Sequence, residues 1–472
     1  MTTPLHFYLN DKEIVATQPR ETSVLDLLRN TQRLTGTKEG CREGDCGACV
    51  VLVGELRNDH LHYKPVTSCL MPIGQLQGKH LVTIEGLNQK ELSTVQQAIV
   101  DEGASQCGFC TPGIVVSLTG YLLEHDQPVT IDGVKTALGG HLCRCTGYRS
   151  LKAVADHLQE AWSSESGVRP HAHSGLLPAY FERMPERLRS MAPNASPNGQ
   201  TSADVYIAGG TDVYVQTDGD FSDIRVTVLS DLPEMEGITE THDAIDVGAL
   251  TTFEDFGRHP AIVRMIPDIQ AYMFLIASLQ VRNRATLGGN VINASPIGDM
   301  TILFLALRAE LSLSNGTSSR TVPLASFYQG YKELDKSPDE VLTRIRIQRP
   351  TANTRINWEK VSKRKCLDIA SVNSAITIRV DGDRVVEASL AMGGVAPIPK
   401  LLTQTGDFLA GKSVTAKTVL GAVAVAQREI SPISDIRGTA TYKRLLARQL
   451  ILAHFVRLFP EHIRLDELYE AP

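Results

Sequence analysis

The chain has 472 residues, 47 of them basic and 53 acidic, for a net charge of −6. That length suggests about three domains of roughly 100–200 residues. The near balance of charge excludes the strongly basic face of a nucleic-acid binder. No apolar run reaches the roughly 18 residues of a membrane-spanning helix. No charged segment followed by an apolar stretch opens the chain, so no signal peptide is expected and the cytoplasm is the expected compartment. There are nine cysteines; eight lie before residue 146 and only Cys366 lies beyond. In a cytoplasmic chain such clustering reads as metal ligation rather than disulfide bonding.

Residues 4–16 alternate apolar and polar about Asn10-Asp11, as a β-hairpin does. Thr22-Ser23 is suited to cap a short helix carrying Val24, Leu25, Leu27 and Leu28. With strands over 50–56 and 80–84, residues 1–87 form a small α+β sheet domain. From Ser93 the apolar period becomes 3.6, with Val95, Ile99 and Val100 starting a helix and Pro112 suited to the first turn of a second. Helices over 134–138 and 151–162 complete a helical domain, 88–162. Residues 163–200 are rich in Ser, Pro, Asn and Gly and read as a linker with one short helix near 182–190. Mixed strands and helices follow over 201–350, with a strand at 205–207 and a buried helix on the apolar run 271–279. A last α+β block, 351–472, holds strands over 375–380 and 384–390 and a helix over 439–459.

The first cysteine set is Cys41-x4-Cys46-x2-Cys49, then 19 residues, then Cys69. This is the plant-type ferredoxin spacing for a [2Fe–2S] cluster. Gly40, Gly44 and Gly47 let the loop curl and aim N–H groups at the sulfurs. A zinc site is the alternative, but only one half of the set resembles a zinc knuckle. The second set is Cys107-x2-Cys110, then 32 residues, then Cys143-x-Cys145. Each pair precedes a predicted helix, where N–H groups favour an anionic cluster. By itself this set also fits four-cysteine zinc.

The strings Gly40-Cys-Arg-Glu-Gly-Asp-Cys-Gly-Ala-Cys49, Gln106-Cys-Gly-Phe-Cys-Thr-Pro-Gly113 and Cys143-Arg-Cys-Thr-Gly-Tyr148 resemble the xanthine dehydrogenase family of molybdenum hydroxylases. The resemblance implies that both sets hold [2Fe–2S] clusters. It implies a β-grasp ferredoxin-like domain, then a four-helix domain whose cluster lies nearest the molybdenum cofactor of a partner, with Gln106 contacting the pterin.

In the second half, Ala208-Gly-Gly-Thr-Asp212 follows a short strand, and Gly288-Gly289 stands in a second stretch ending at Asp299. A Gly-Gly turn after a strand can present N–H groups to a pyrophosphate; a plain tight turn is the commoner reading. No G-x-G-x-x-G opens a helix, so no Rossmann domain is indicated. Both stretches resemble the FAD-binding segments of the same family. That resemblance implies a multidomain α+β protein with an FAD-binding domain of the PCMH/molybdopterin-dehydrogenase type and a C-terminal flavoprotein α+β domain. It puts Ile207, Ala208, Gly209, Gly210, Thr211, Asp212, Val213 and Tyr214 around the pyrophosphate, and Thr286, Gly289, Asn290 and Asp299 along the FAD. Leu342 and Lys360 are implied as weaker contacts, and Ile276 stands where the animal enzymes carry an aromatic residue.

His171 and His173 read as solvated loop, Lys363-Arg364-Lys365 as a solvated basic run, for which the resemblance implies a mobile basic loop near the flavin, and Cys366, Trp162 and Trp358 as packing residues. The parts compose a relay through two clusters to FAD; the resemblance implies that it runs from molybdenum to NAD⁺ and serves oxidation of hypoxanthine and xanthine to urate. The same relay in an aldehyde- or N-heterocycle-oxidising hydroxylase is the alternative. Room for a molybdopterin domain is lacking, so a large molybdopterin-binding partner subunit is expected, in a heterotetramer of two small and two large chains.

Overall fold

The structure, a computed structural model, describes residues 4–124, 129–163, 175–191, 203–230 and 232–469. His171, His173 and much of the expected linker lie outside the described residues. The chain divides into two compact units: Met1–Leu232 with Ala277–Ala285, and Pro233–Ile276 with Thr286–Pro472.

In the first unit, β1 (Leu5–Leu9) and β2 (Lys12–Ala16) form the expected antiparallel hairpin. Ser23 caps α1 (Val24–Asp26), its hydroxyl accepting from Asp26 N at 3.1 Å. The strands β3 (Val50–Arg57), β4 (His60–Thr67) and β5 (His80–Val82) complete a sheet of order β2-β1-β5-β3-β4. β1 and β5 are parallel and the other pairs antiparallel, a β-grasp arrangement. Sequence reading missed β4, which contains Pro65. As an edge strand it tolerates the missing N–H. β5 is shorter than expected because a 3-10 turn, Ile84–Leu87, follows it.

Alternation along β3 serves two cores. Val51 packs with Phe7, Leu27 and Leu28 on one face. Val50 and Leu52 face the helices on the other. These helices are α2 (Thr94–Asp101), α3 (Thr111–Leu123), α4 (Ile131–Leu138) and α5 (Arg149–Ser163). Ser93 and Gln96 close a capping box on α2, and Pro112 stands in the first turn of α3. The helix expected near 182–190 is α6 (Met184–Ser190). Beyond it β6 (Val205–Ile207) runs parallel to β7 (Val226–Val228), with α7 (Val213–Thr217) between them in sequence.

The second unit holds a five-stranded antiparallel sheet of Ser319–Pro323, Glu310–Ser314, Val341–Gln348, Ala244–Gly248 and Ile238–Glu240, in that order. A four-stranded antiparallel sheet joins Thr354–Val361, Val372–Asp381, Arg384–Gly393 and Lys400–Leu401. Apolar residues of Val372–Asp381 and Arg384–Gly393 share a core with the helices Ala416–Glu429 and Ala440–Leu458, the latter capped by Thr439. The apolar run 271–279 is not one helix. Ile269–Leu275 ends, Ala277 takes φ 49°, and Ser278 caps a new turn, Leu279–Arg282. The chain passes from one unit to the other at this break.

Candidate cofactor sites

The loop before β3 carries Cys41, Cys46 and Cys49, and the turn Ser68–Leu70 after β4 carries Cys69. The Sγ atoms of Cys49 and Cys69 are 3.4 Å apart, and Cys41 and Cys46 are hydrogen-bonded to each other. Four thiols in two pairs suit a two-iron cluster, each iron taking two thiolates. Among the described residues no three His, Cys, Asp or Glu side chains gather as they do around one metal ion. Backbone N–H groups turn toward the sulfur as the glycine-rich loop predicts: Glu43 N donates to Cys41 Sγ at 3.3 Å. The Cys46 thiol first, then the N–H groups of Glu43, Asp45 and Cys46, lower Cys41 to about 5 against the opposing effect of burial.

Gly47 adopts φ 69°, and a Cβ there would lie 2.4 Å from both Gly140 O and His141 Nδ1. Only glycine permits that approach. The first cysteine loop therefore rests directly on the second. Leu142 N donates to Cys46 O at 3.1 Å, and a Cβ on Gly113 would meet Gly47 O at 2.3 Å.

In the second set Cys107 is hydrogen-bonded to Cys145 and Cys110 to Cys143, again two pairs. Cys110 is the residue before α3, and the other pair precedes α5, as expected. Thr146 Oγ1 lies 3.1 Å from Cys143 Sγ, and Cys143 N donates to the Tyr148 hydroxyl at 2.9 Å. Gln106, Cys107 and Cys145 are exposed, beside the exposed apolar side chains of Phe109 and Leu142.

The first part of the expected flavin site follows β6. Ile207 is fully buried, and Ala208 O accepts from Gln75 Nε2 at 2.7 Å. Gly209 O accepts from Arg284 at 2.6 Å; burial lowers this arginine to about 10. Gly210 adopts φ 79°, and a Cβ there would stand 2.4 Å from Leu70 O. Thr211 is half-buried, while Asp212 accepts from Gln216 Nε2 at 2.6 Å. Val213 and Tyr214 open α7, and the Tyr214 hydroxyl donates to Glu21 O. Ile207 and Tyr214 share one apolar cluster with Cys49, Cys69 and Leu70.

The second unit holds the remaining expected residues. Thr286 caps the helix Leu287–Ile292, its hydroxyl accepting from Gly289 N at 3.1 Å. Asn290 Oδ1 accepts from the N–H and hydroxyl of Thr301 at 3.1 and 3.0 Å. Asp299 has no basic neighbour in nearby sequence, yet Lys360 Nζ donates to its Oδ2 at 2.8 Å. Asn373 Nδ2 donates to its Oδ1 at 2.6 Å. The pair is enclosed: the Lys360 side chain is 1% exposed and that of Asp299 14%. Asp299 does not cap the helix it opens: Gly298 occupies the cap position of Asp299–Ala306 and no side chain caps there. Lys360 also donates to Leu275 O at 3.0 Å, and Ile276 is buried at the end of that helix. Leu342 is buried opposite Leu313, beside a bulge.

Lys363, Arg364 and Lys365 are exposed, with the Lys365 ammonium 5.3 Å from the Phe274 ring centroid. Trp358 is buried against Tyr272, a packing role as expected, and Cys366 is half-buried. Sequence reading missed Gln75, Arg284 and Asn373, which carry no local signal because their partners are distant in the chain.

Four family models match in order along the chain. A 2Fe-2S iron-sulfur cluster binding domain matches residues 7–74 and a [2Fe-2S] binding domain residues 83–156. The FAD binding domain in molybdopterin dehydrogenase matches 191–350, and the CO dehydrogenase flavoprotein C-terminal domain 359–458. The chain belongs to the molybdenum hydroxylase family. Its cofactors are two [2Fe–2S] clusters and FAD. The paired thiols of each set fit the clusters.

Xanthine dehydrogenase of Emericella nidulans is 29% identical over 96% of this chain, and rabbit (Oryctolagus cuniculus) aldehyde oxidase 1 is 28% identical over 96%. The chain spans 38% and 39% of those relatives' lengths. Carbon monoxide dehydrogenase from Hydrogenophaga pseudoflava matches with a TM-score of 0.50 and 29% identity, over 52% of this chain and 86% of that one. The reconstituted CO dehydrogenase from Oligotropha carboxidovorans matches with a TM-score of 0.50 and 28% identity, over 55% of this chain and 90% of that one. Among the described residues no helix is long and apolar enough to cross a membrane.

Proposed function

We propose that the chain is the electron-transfer subunit of a xanthine dehydrogenase, carrying electrons from a molybdenum cofactor on a large partner subunit to NAD⁺. The carrying observation is the continuity of the first unit. The second cysteine loop packs on the first through Gly47 and Gly113, and the first shares an apolar cluster with Ile207 and Tyr214. When bound, the clusters supply one-electron transfer and the flavin joins single electrons into a hydride.

The residues divide the task. Cys107, Cys110, Cys143 and Cys145 hold the cluster nearest the partner, where exposed Gln106, Phe109 and Leu142 offer a docking face. Cys41, Cys46, Cys49 and Cys69 hold the inner cluster, with buried Cys49 and Cys69 on the side of the flavin loop. Ile207, Ala208, Gly209, Gly210, Thr211, Asp212, Val213 and Tyr214 form that loop and take the pyrophosphate. Thr286, Gly289, Asn290 and Asp299 contact FAD, with Ile276, Leu342 and Lys360 as supporting contacts. Asn373 and Lys360 fix the orientation of the Asp299 carboxylate.

The likeness to xanthine dehydrogenases over nearly the whole chain supports xanthine as the substrate of the complex. The comparable likeness to aldehyde oxidase 1 supports the second reading, an aldehyde- or N-heterocycle-oxidising complex. Purification of the native complex decides. We expect molybdenum with a large subunit, two small and two large chains, and NAD⁺-dependent xanthine oxidation. The isolated chain should oxidise NADH with an artificial dye and leave xanthine untouched. Xanthine turnover by this polypeptide alone, or NAD⁺-dependent turnover of aldehydes but not xanthine by the complex, would overturn the assignment.

A further inference from the structure

His141 lies two residues before the ligand Cys143, yet its ring packs against the other cysteine loop. It is 3% exposed. Its Nε2 is 2.7 Å from Ser117 Oγ. Gln280 Nε2 donates to Ala137 O at 2.7 Å and to Ser117 Oγ at 3.0 Å. The amide orientation of Gln280 is dictated, because only its NH₂ can face the Ala137 carbonyl. Ser117 Oγ accepts from Gln280, and His141 Nε2 faces two donors, the Ser117 hydroxyl and Gln280 Nε2 at 3.4 Å. In a neutral imidazole one ring nitrogen accepts and the other carries the proton. In the tautomer that accepts from these donors at Nε2, the proton is on Nδ1.

That Nδ1 is buried and has no hydrogen-bond partner among the described residues. It lies on the Gly47 side of the ring, where a Cβ on Gly47 would come within 2.4 Å. Gly47 sits between the ligands Cys46 and Cys49. A buried N–H left without an acceptor costs on the order of 1–3 kcal/mol, and beside the first cysteine loop a bound cofactor can supply that acceptor. An anionic iron–sulfur cluster is an acceptor of this kind, and hydrogen bonds to its sulfurs raise its reduction potential.

We propose that His141 Nδ1–H donates to sulfur of the cluster held by Cys41, Cys46, Cys49 and Cys69, and that this raises the potential of that cluster relative to its neighbour. His141 is thus a tuning residue and not a ligand. The segment Ala277–Ala285 supports it, since Gln280 donates to Ser117 and both face His141 Nε2. The inference rests on the assignment of a [2Fe–2S] cluster to the first cysteine set.

The test uses the native holoprotein labelled with ¹⁵N-histidine. Pulsed EPR of the reduced inner cluster should show a weak ¹⁵N coupling from one histidine and a coupled exchangeable proton. In an EPR-monitored redox titration, His141→Leu should lower the reduced-to-oxidised ratio of the inner cluster at fixed potential about three- to tenfold. Tenfold corresponds to about 59 mV for a one-electron couple. The outer cluster should not move. His141→Gln, which restores an N–H, should recover part of the shift. An inner cluster without histidine coupling in the wild-type protein overturns the inference alone, whether or not His141→Leu folds. Equal shifts of both clusters, or no rescue by His141→Gln, overturn it also, because they indicate general repacking. A first cysteine set without iron overturns it together with the cluster assignment.

Discussion

Removing the Asp299 carboxylate offers the sharpest check on the second unit. Asp299→Ala would leave the Lys360 ammonium, 1% exposed, bonded to Leu275 O at 3.0 Å but without its carboxylate partner. It would also free the Asn373 amide from its 2.6 Å bond. Breaking a buried ion pair from one side costs about 3–5 kcal/mol, because the remaining charge stays desolvated. A lost helix cap would cost only about 0.5–2 kcal/mol. Lys360→Met combined with Asp299→Ala removes both charges and should cost much less than the two single changes added together, since neither charge is then left buried without its partner. A double-mutant cycle in urea unfolding should show a coupling of at least about 2 kcal/mol. Flavin per chain and the cluster EPR signals are measured on the same samples. We expect Asp299→Ala to lose FAD while both cluster signals persist. A cost under about 1 kcal/mol, or additive single changes, would refute the ion-pair reasoning. Full FAD with normal NADH–dye activity would refute the flavin placement.

Other consequences can be checked as directly. Cys107→Ser should remove one cluster EPR signal and leave the other, with iron falling from about four to about two per chain; loss of both signals would contradict separate ligand sets. Gly210→Val should lower FAD content with outer-cluster signal intact, because its Cβ would press on Leu70 O and the residue would be held at φ 79°. Unchanged FAD in this variant would contradict the pyrophosphate role. Burial lowers both His80 and His454 to about 3. Each imidazole is hydrogen-bonded through both nitrogens, His80 to Tyr63 and Asn10, His454 to Asn357 and Ser374. Their unfolded value is near 6.5, so the unfolded chain binds the extra protons between about pH 6.5 and 3. The stability they contribute is complete above about pH 6.5 and declines as pH falls toward 3. Going from pH 7 to 5 should cost about 2 kcal/mol per histidine, read as a falling unfolding midpoint. A flat profile over that range would refute it, and His454→Gln should reduce the slope.

The cysteine spacings, the hairpin about Asn10 and the cap at Ser23 were legible in the sequence because each is a local event. A fixed spacing brings thiols around one loop, and a cap satisfies an N–H two or three residues away. Resemblance extended that reading to the flavin loops, whose Gly-Gly turns alone are weak signals. Tertiary structure decided what depends on partners far apart in the chain. Asp299 meets Lys360 across 61 positions, Gly209 meets Arg284 across 75, and Ser117 meets Gln280 across 163. It also decided that the apolar run 271–279 breaks at Ala277, because the two halves serve different cores. Periodicity reports which faces of an element are apolar. It does not report which core each face joins, and a buried polar side chain is tolerated only by the partner that the fold supplies.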